Sequence, residues 1–134
     1  MNSNDLGDMG FCSWLPFGLP TKKSLLSKVP RSMGVYAFRH AEPFSRVRGS
    51  SDILYIGSAT NRNGLRGRIG QYFSPGPTQR TNQRILALIT QEKGAYSVSW
   101  VETHEIARAK AFEQDLLGKY LQEHGELPPQ NLRR

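Results

Sequence analysis

Two short stretches decide the fold: Met33–Arg39, MGVYAFR, and Ile53–Ala59, ILYIGSA. Both concentrate β-branched and aromatic residues over strand-like lengths. Each pairs a glycine with a tyrosine, as Gly34-Val35-Tyr36 and Tyr55-Ile56-Gly57. A tyrosine on a strand is usually a core or half-buried residue. A glycine there weakens the strand and marks the close approach of a ligand or another backbone. Residues 40–51 form a polar, basic connection containing Arg46 and Arg48. Two strands joined by one long connection predict an antiparallel hairpin.

Working outward, Asn61–Gly64 is turn-like, and Leu65–Phe73 fits a short helix with Leu65, Ile69 and Tyr72 or Phe73 on one face. Ser74–Thr78, SPGPT, breaks it. Asn82–Glu92 reads as a helix with Ile85, Leu88 and Ile89 inward, and Tyr96–Val101, YSVSWV, alternates as a third strand. Glu105–His124 is the longest helix, ended by Gly125, Pro128 and Pro129. Upstream, Thr21 is placed to cap a helix carrying Leu25, Leu26 and Val29 and stopped by Pro30. Residues 1–20 read as an irregular arm, either a wrap over the core or, through residues 10–20, a docking strip for a partner or a second copy. The division is an arm and short helix over 1–29 and a domain over 30–134. The order β-β-α-α-β-α predicts an α+β domain, a small three-stranded antiparallel sheet flanked by helices.

At 134 residues the chain is one domain long, and 37% hydrophobic with 22% charged residues suits a globular protein. Lys+Arg is 18 against 11 Asp+Glu, a net charge of +7, with a pI near 9.9. That surplus favours a polyanionic partner, nucleic acid before membrane. A single cysteine, Cys12, excludes an internal disulfide framework, and His40, His104 and His124 lack zinc-ligand spacing. The apolar stretch Gly10–Pro20 is too short to span a bilayer and is preceded by Asp5 and Asp8 rather than basic residues, so a cytoplasmic protein is expected.

The long helix carries the sharpest chemical signal. At about 100° per residue, Ile106, Ala109, Leu116, Leu117 and Tyr120 all project within about 60° of Glu113, whereas Asp115 points about 160° away. Glu113 therefore sits in the apolar stripe. A carboxylate there is costly unless it is paired or bound to a cation. The readings are a buried salt bridge to an arginine, a helix too irregular for the angular argument, or a metal ligand or catalytic group, with Mg²⁺ the natural ion. Arg68, in LRGRIGQYF, is either a solvated helix residue or a phosphate grip. Arg66 competes with it from the opposite side of the same turn.

Gly34-Val35-Tyr36, Tyr55-Ile56-Gly57, Arg68, Glu113 and Asn131 together resemble the GIY-YIG nuclease signature in its usual order. Pro30, Leu54, the Leu65–Arg68 stretch and the terminal Pro128-Pro129-Gln130-Asn131 agree with it, and the resemblance covers roughly residues 30 to 131. The chain departs from the commoner pattern at Val35, in the long Ala37–Leu54 connection, in the extra Asn61–Gly64 turn, and at Ser58, where many relatives have lysine. The last bears on substrate affinity or on the base's environment.

The resemblance implies a three-stranded antiparallel sheet flanked by helices and metal-dependent hydrolysis of DNA phosphodiesters. One Mg²⁺ or Mn²⁺ would be held by Glu113, and Arg68 would neutralise charge on the phosphoryl oxygens. Tyr36 would be the general base and Tyr55 its water-positioning partner, with a pKa lowered from ~10 by a nearby cation. Asn131 would tie the C-terminal segment to the site, and Gly57 would let substrate approach. Arg46, Arg48, Arg62, Arg66, Arg80 and Arg84 are the candidate basic rim for DNA; Tyr72 and Phe73 suit the core better than base stacking. With no room for a target-recognition domain, branched or damaged DNA in repair or recombination is the expected substrate, with or without a protein partner. The alternatives are a non-catalytic nucleic-acid-binding module and an interaction protein retaining the fold.

Overall fold

The computed structural model describes residues 1–133. They form an α+β domain in three layers. Strands β1 (Leu15–Pro16), β2 (Gly34–Ser45), β3 (Ser50–Ala59) and β4 (Tyr96–Glu102) make one antiparallel sheet in the order β1-β4-β2-β3. Helices α2 (Lys22–Lys28), α3 (Gly64–Gly70) and α4 (Arg80–Gln91) cover one face, and α1 (Ser3–Asp8) and α5 (Ile106–His124) cover the other.

Period-two alternation assigns the two cores. Tyr36, Phe38 and Val98 pack with Leu65, Ile69, Tyr72 and Ile85 on the first face, while Val35, Ala37 and Ile56 pack with Leu116, Leu117 and Tyr120 on the second. Burying both faces explains why MGVYAFR is apolar almost throughout. Gly34 is required because a Cβ there would run into the Val101 carbonyl of the neighbouring strand. No helix among the described residues is long and apolar enough to cross a membrane.

The sheet has four strands rather than three, because the arm is not irregular. Leu15 and Pro16 pair with Val98 and Ser97, and Phe11 and Phe17 are buried. Asn2 and Asp5 close a reciprocal capping box on α1. Residues 10–20 thus wrap the core, and Pro16 on the edge strand blunts further pairing there. The 40–51 connection is also largely strand: β2 runs on to Ser45 and β3 begins at Ser50, with Phe44 opposite Ser51. This overhang is mostly solvent-exposed, so it lacks the alternation that marks a half-buried strand. Thr21 precedes α2, but its hydroxyl donates to the carbonyls of Pro16 and Gly18 rather than capping the helix. The helix from Leu65 splits into α3 and a 3₁₀ turn over Gln71–Phe73.

Candidate active site

The chemistry-bearing residues meet at the outer edge of β3. Tyr55 and Gly57 lie toward the α3 side of the sheet and Ser58 toward α5, so groups from both helical layers reach around the edge strand. Tyr55, Ser58 and Thr60 from β3 and its end, Asn61 from the turn, Arg68 from α3, and Lys110 and Glu113 from α5 line one polar cleft of about 260 Å³. Buried Leu65 and Ile69 anchor α3 on either side of half-buried Arg68.

Glu113 lies beside the buried stripe of Ala109, Leu116, Leu117 and Tyr120 and is itself half-buried. Ile106 is the exception to the stripe: as the first residue of α5 it is 49% exposed. Glu113 accepts a hydrogen bond from Ser58 Oγ at 3.1 Å and makes no ion pair among the described residues, which removes the buried-salt-bridge reading. Burial pushes its pKa above the usual carboxylate range, against the opposing pull of Ser58, Lys110 and Arg68.

Arg68 is fixed at two points. Nε donates to Tyr36 Oη at 3.3 Å and Nη1 to Gln71 Oε1 at 3.2 Å, leaving Nη2 without a protein partner among the described residues. Tyr36 is fully buried and shares a 2.7 Å hydrogen bond with Tyr72 Oη. Desolvation drives the Tyr36 pKa up, with Tyr55 adding to the effect, and the positive charge of Arg68 does not offset it. The expected lowering at Tyr36 is therefore reversed. Tyr55 is the half-exposed phenol that faces the cleft, and the two rings stand 6.1 Å apart between centroids. Gly57 is enclosed behind them: a Cβ there would come within 2.7 Å of the Tyr36 Cζ and Oη atoms.

The other predicted residues separate into two groups. Asn131 uses its amide like an extra strand, accepting from Ile56 N at 3.0 Å and donating to Ile56 O at 2.9 Å, while Gln130 N donates to Leu54 O. The C-terminal segment is thereby tied along the β3 edge beside the cleft. Arg62 is exposed in the turn next to Asn61, and Arg80 is exposed at the start of α4. Arg66 donates to Val29 O, and Arg84 to Gln130 Oε1 and Thr81 Oγ1.

Arg46 and Arg48 sit at the far end of the hairpin. Arg46 pairs with Glu126 and donates to Leu127 O; Arg48 donates to the carbonyls of Gln122 and Glu123. At about 3.3 Å per residue, Ser50 at that end stands about 26 Å along β3 from Ser58. These two arginines fasten the hairpin to the end of α5 and are not brought to the cleft.

Sequence reasoning missed three contributors. Tyr72 has the spacing of a core residue and is in the core, yet its hydroxyl is bonded to Tyr36. Gln71 needed the 3₁₀ turn to come under Arg68. Lys110 had a readable signal, its position one turn before Glu113 on the same helix.

No family model, curated protein or solved structure matches the chain.

Among the described residues no group of three or more His, Cys, Asp or Glu is gathered, and Glu113 is the one carboxylate lining the cleft. A lone, half-buried carboxylate with one hydroxyl partner could hold only a Mg²⁺ or Mn²⁺ ion that keeps most of its waters or takes oxygens from outside the protein. It does not fit an ion caged by protein ligands alone.

Proposed function

We propose that the chain is a divalent-metal-dependent endonuclease of the GIY-YIG type that hydrolyses DNA phosphodiester bonds. The observation that carries this reading is the convergence of Tyr55, Arg68 and Glu113, from a strand and two helices on opposite sides of the sheet, in one polar cleft. Asn131 on Ile56 and the Tyr36–Arg68 contact add support, since both recruit signature residues to the same sheet edge.

Hydrolysis requires a water to attack phosphorus, a P–O bond to break and the departing oxygen to gain a proton. Tyr55, facing the cleft, would orient the attacking water and, as its phenolate, take the proton, while solvent returns one to the departing oxygen. Arg68, held by Tyr36 and Gln71, presents its remaining N–H groups to the phosphoryl oxygens as their charge grows; because it is already positioned, little reorganisation is required. Glu113 would hold the Mg²⁺ or Mn²⁺ ion, whose contribution when bound is to polarise the phosphate and stabilise the leaving 3′ oxygen. Relative to the sequence expectation, Tyr55 keeps its place at the water and takes over the base role, and Tyr36 fixes the arginine.

The substrates proposed for it are DNAs of altered structure, such as branches, flaps or nicks, in repair or recombination. Incubation with end-labelled linear, nicked, flapped and branched DNAs, in Mg²⁺ and in EDTA, tests the proposal. Cutting of at least one substrate in Mg²⁺ and none in EDTA is expected. Intact substrates throughout, from a folded protein, would refute it.

A further inference from the structure

Arg68 is not the only cation facing the cleft. Lys110 lines it from the opposite helical layer, three residues before Glu113 on α5. Its side chain is exposed, and among the described residues it makes no ion pair. Lys119 on the same helix behaves differently, pairing with Asp115 at 3.2 Å. Lys110 is near enough to act on the Glu113 carboxyl yet is locked into no ion pair, and in a largely polar cleft, beside Thr60 and Asn61, it is available to an anion.

From this we infer that Lys110 is a phosphate-binding residue of the cleft, engaging a DNA phosphate from α5 while Arg68 engages one from α3. The two cations divide the work by their chemistry. Arg68 is pinned at Nε and Nη1, so it offers a fixed direction. Lys110 offers a compact charge on a flexible stem, which follows the phosphate without demanding one geometry. The pair also balances the site. Glu113 alone supplies one negative charge against two positive ones, so the cleft is net positive and becomes more so when a divalent ion is bound.

The inference rests on the nuclease reading for its ligand, but its test does not depend on cutting. Equilibrium binding of a branched DNA in EDTA would be measured against KCl concentration for the parent, Lys110→Ala, Lys110→Arg and Lys119→Ala. Each phosphate contact contributes about 0.9 to the slope of log affinity against log salt on duplex DNA. Lys110→Ala should lower that slope by about one and weaken binding at low salt, Lys110→Arg should keep the slope, and Lys119→Ala should match the parent. A parent slope in Lys110→Ala, with thermal unfolding unchanged, overturns the inference, as does the absence of DNA binding by the parent. A parent that binds but never cuts refutes the nuclease reading and leaves the slope comparison to decide the role of Lys110.

Discussion

Tyr36 and Gly57 stand opposite each other across β2 and β3, and the Tyr36 phenol fills the volume a side chain at position 57 would need. The two halves of the glycine–tyrosine pattern are therefore one packing unit. The ring lies over the glycine, its hydroxyl meets Tyr72 and Arg68, and the arginine is turned toward the cleft. Gly57→Ala should displace the ring and cost about 1–3 kcal/mol, as overpacking does. Urea unfolding would report the loss, and DNA cutting should fall with it because Arg68 loses its support.

Tyr36→Phe keeps the ring and removes the hydroxyl. It leaves the buried Tyr72 hydroxyl without its partner, so a loss of about 1–2 kcal/mol is expected. Tyr55→Phe, at a half-exposed position, should change stability little. Activity should show the opposite order, with kcat for Tyr55→Phe reduced about 10²-fold or more, the range for removing a general base. Single-turnover cutting by the two variants checks the assignment; a greater loss in Tyr36→Phe would restore it as the base.

Glu113 predicts a pH signature. Its pKa in the folded chain lies above the ordinary value of 4.5, so folding disfavours the ionised form. The associated stability is full below pH 4.5 and is lost as pH rises through the folded value. At neutral pH and without metal, Glu113→Gln should therefore unfold at a higher temperature than the parent, with the advantage vanishing in acid. Mn²⁺ should raise the unfolding temperature of the parent and not of the variant. Calorimetry at several pH values, with and without Mn²⁺, reads both effects.

A second titration lies away from the cleft. His40 Nδ1 faces the Glu42 carbonyl, its Nε2 stands 2.9 Å from Glu92 Oε2, and Tyr96 donates to the same carboxylate oxygen. The carbonyl first, and the carboxylate after it, hold the His40 pKa above 6.5. The stability it adds is complete below that value and declines as pH rises through the folded pKa. The site is largely exposed, so the effect is small. His40→Gln should flatten the shallow fall in stability above pH 6.5, measured by urea midpoints across that range.

Arg46→Gln separates fastening from DNA binding. The Arg46 side chain is 11% exposed between Glu126 and the Leu127 carbonyl, so the substitution should cost about 1–3 kcal/mol. Its salt slope for DNA should stay at the parent value. A slope lowered by about one would place this end of the hairpin on the DNA.

Strands β2 and β3 and the long helix were legible because burial on both sheet faces and on one helix stripe leaves strong patterns. Glu113 stood out against that stripe. The hairpin overhang was not legible, since its exposed residues need no alternation, and α1 was hidden in a polar segment where only Asn2 and Asp5 marked its cap. The fates of the arginines were also beyond sequence: Arg46, Arg48, Arg66 and Arg84 look like a DNA rim in one dimension, yet each satisfies a carbonyl, amide, hydroxyl or carboxylate oxygen in three.

The most direct test of the central claim is the cutting rate of Glu113→Gln on whichever DNA the parent cleaves in Mg²⁺, with folding verified by thermal unfolding. A folded variant, at least as stable as the parent without metal, with cutting reduced to background, is expected. A variant that cuts as fast as the parent would contradict the claim.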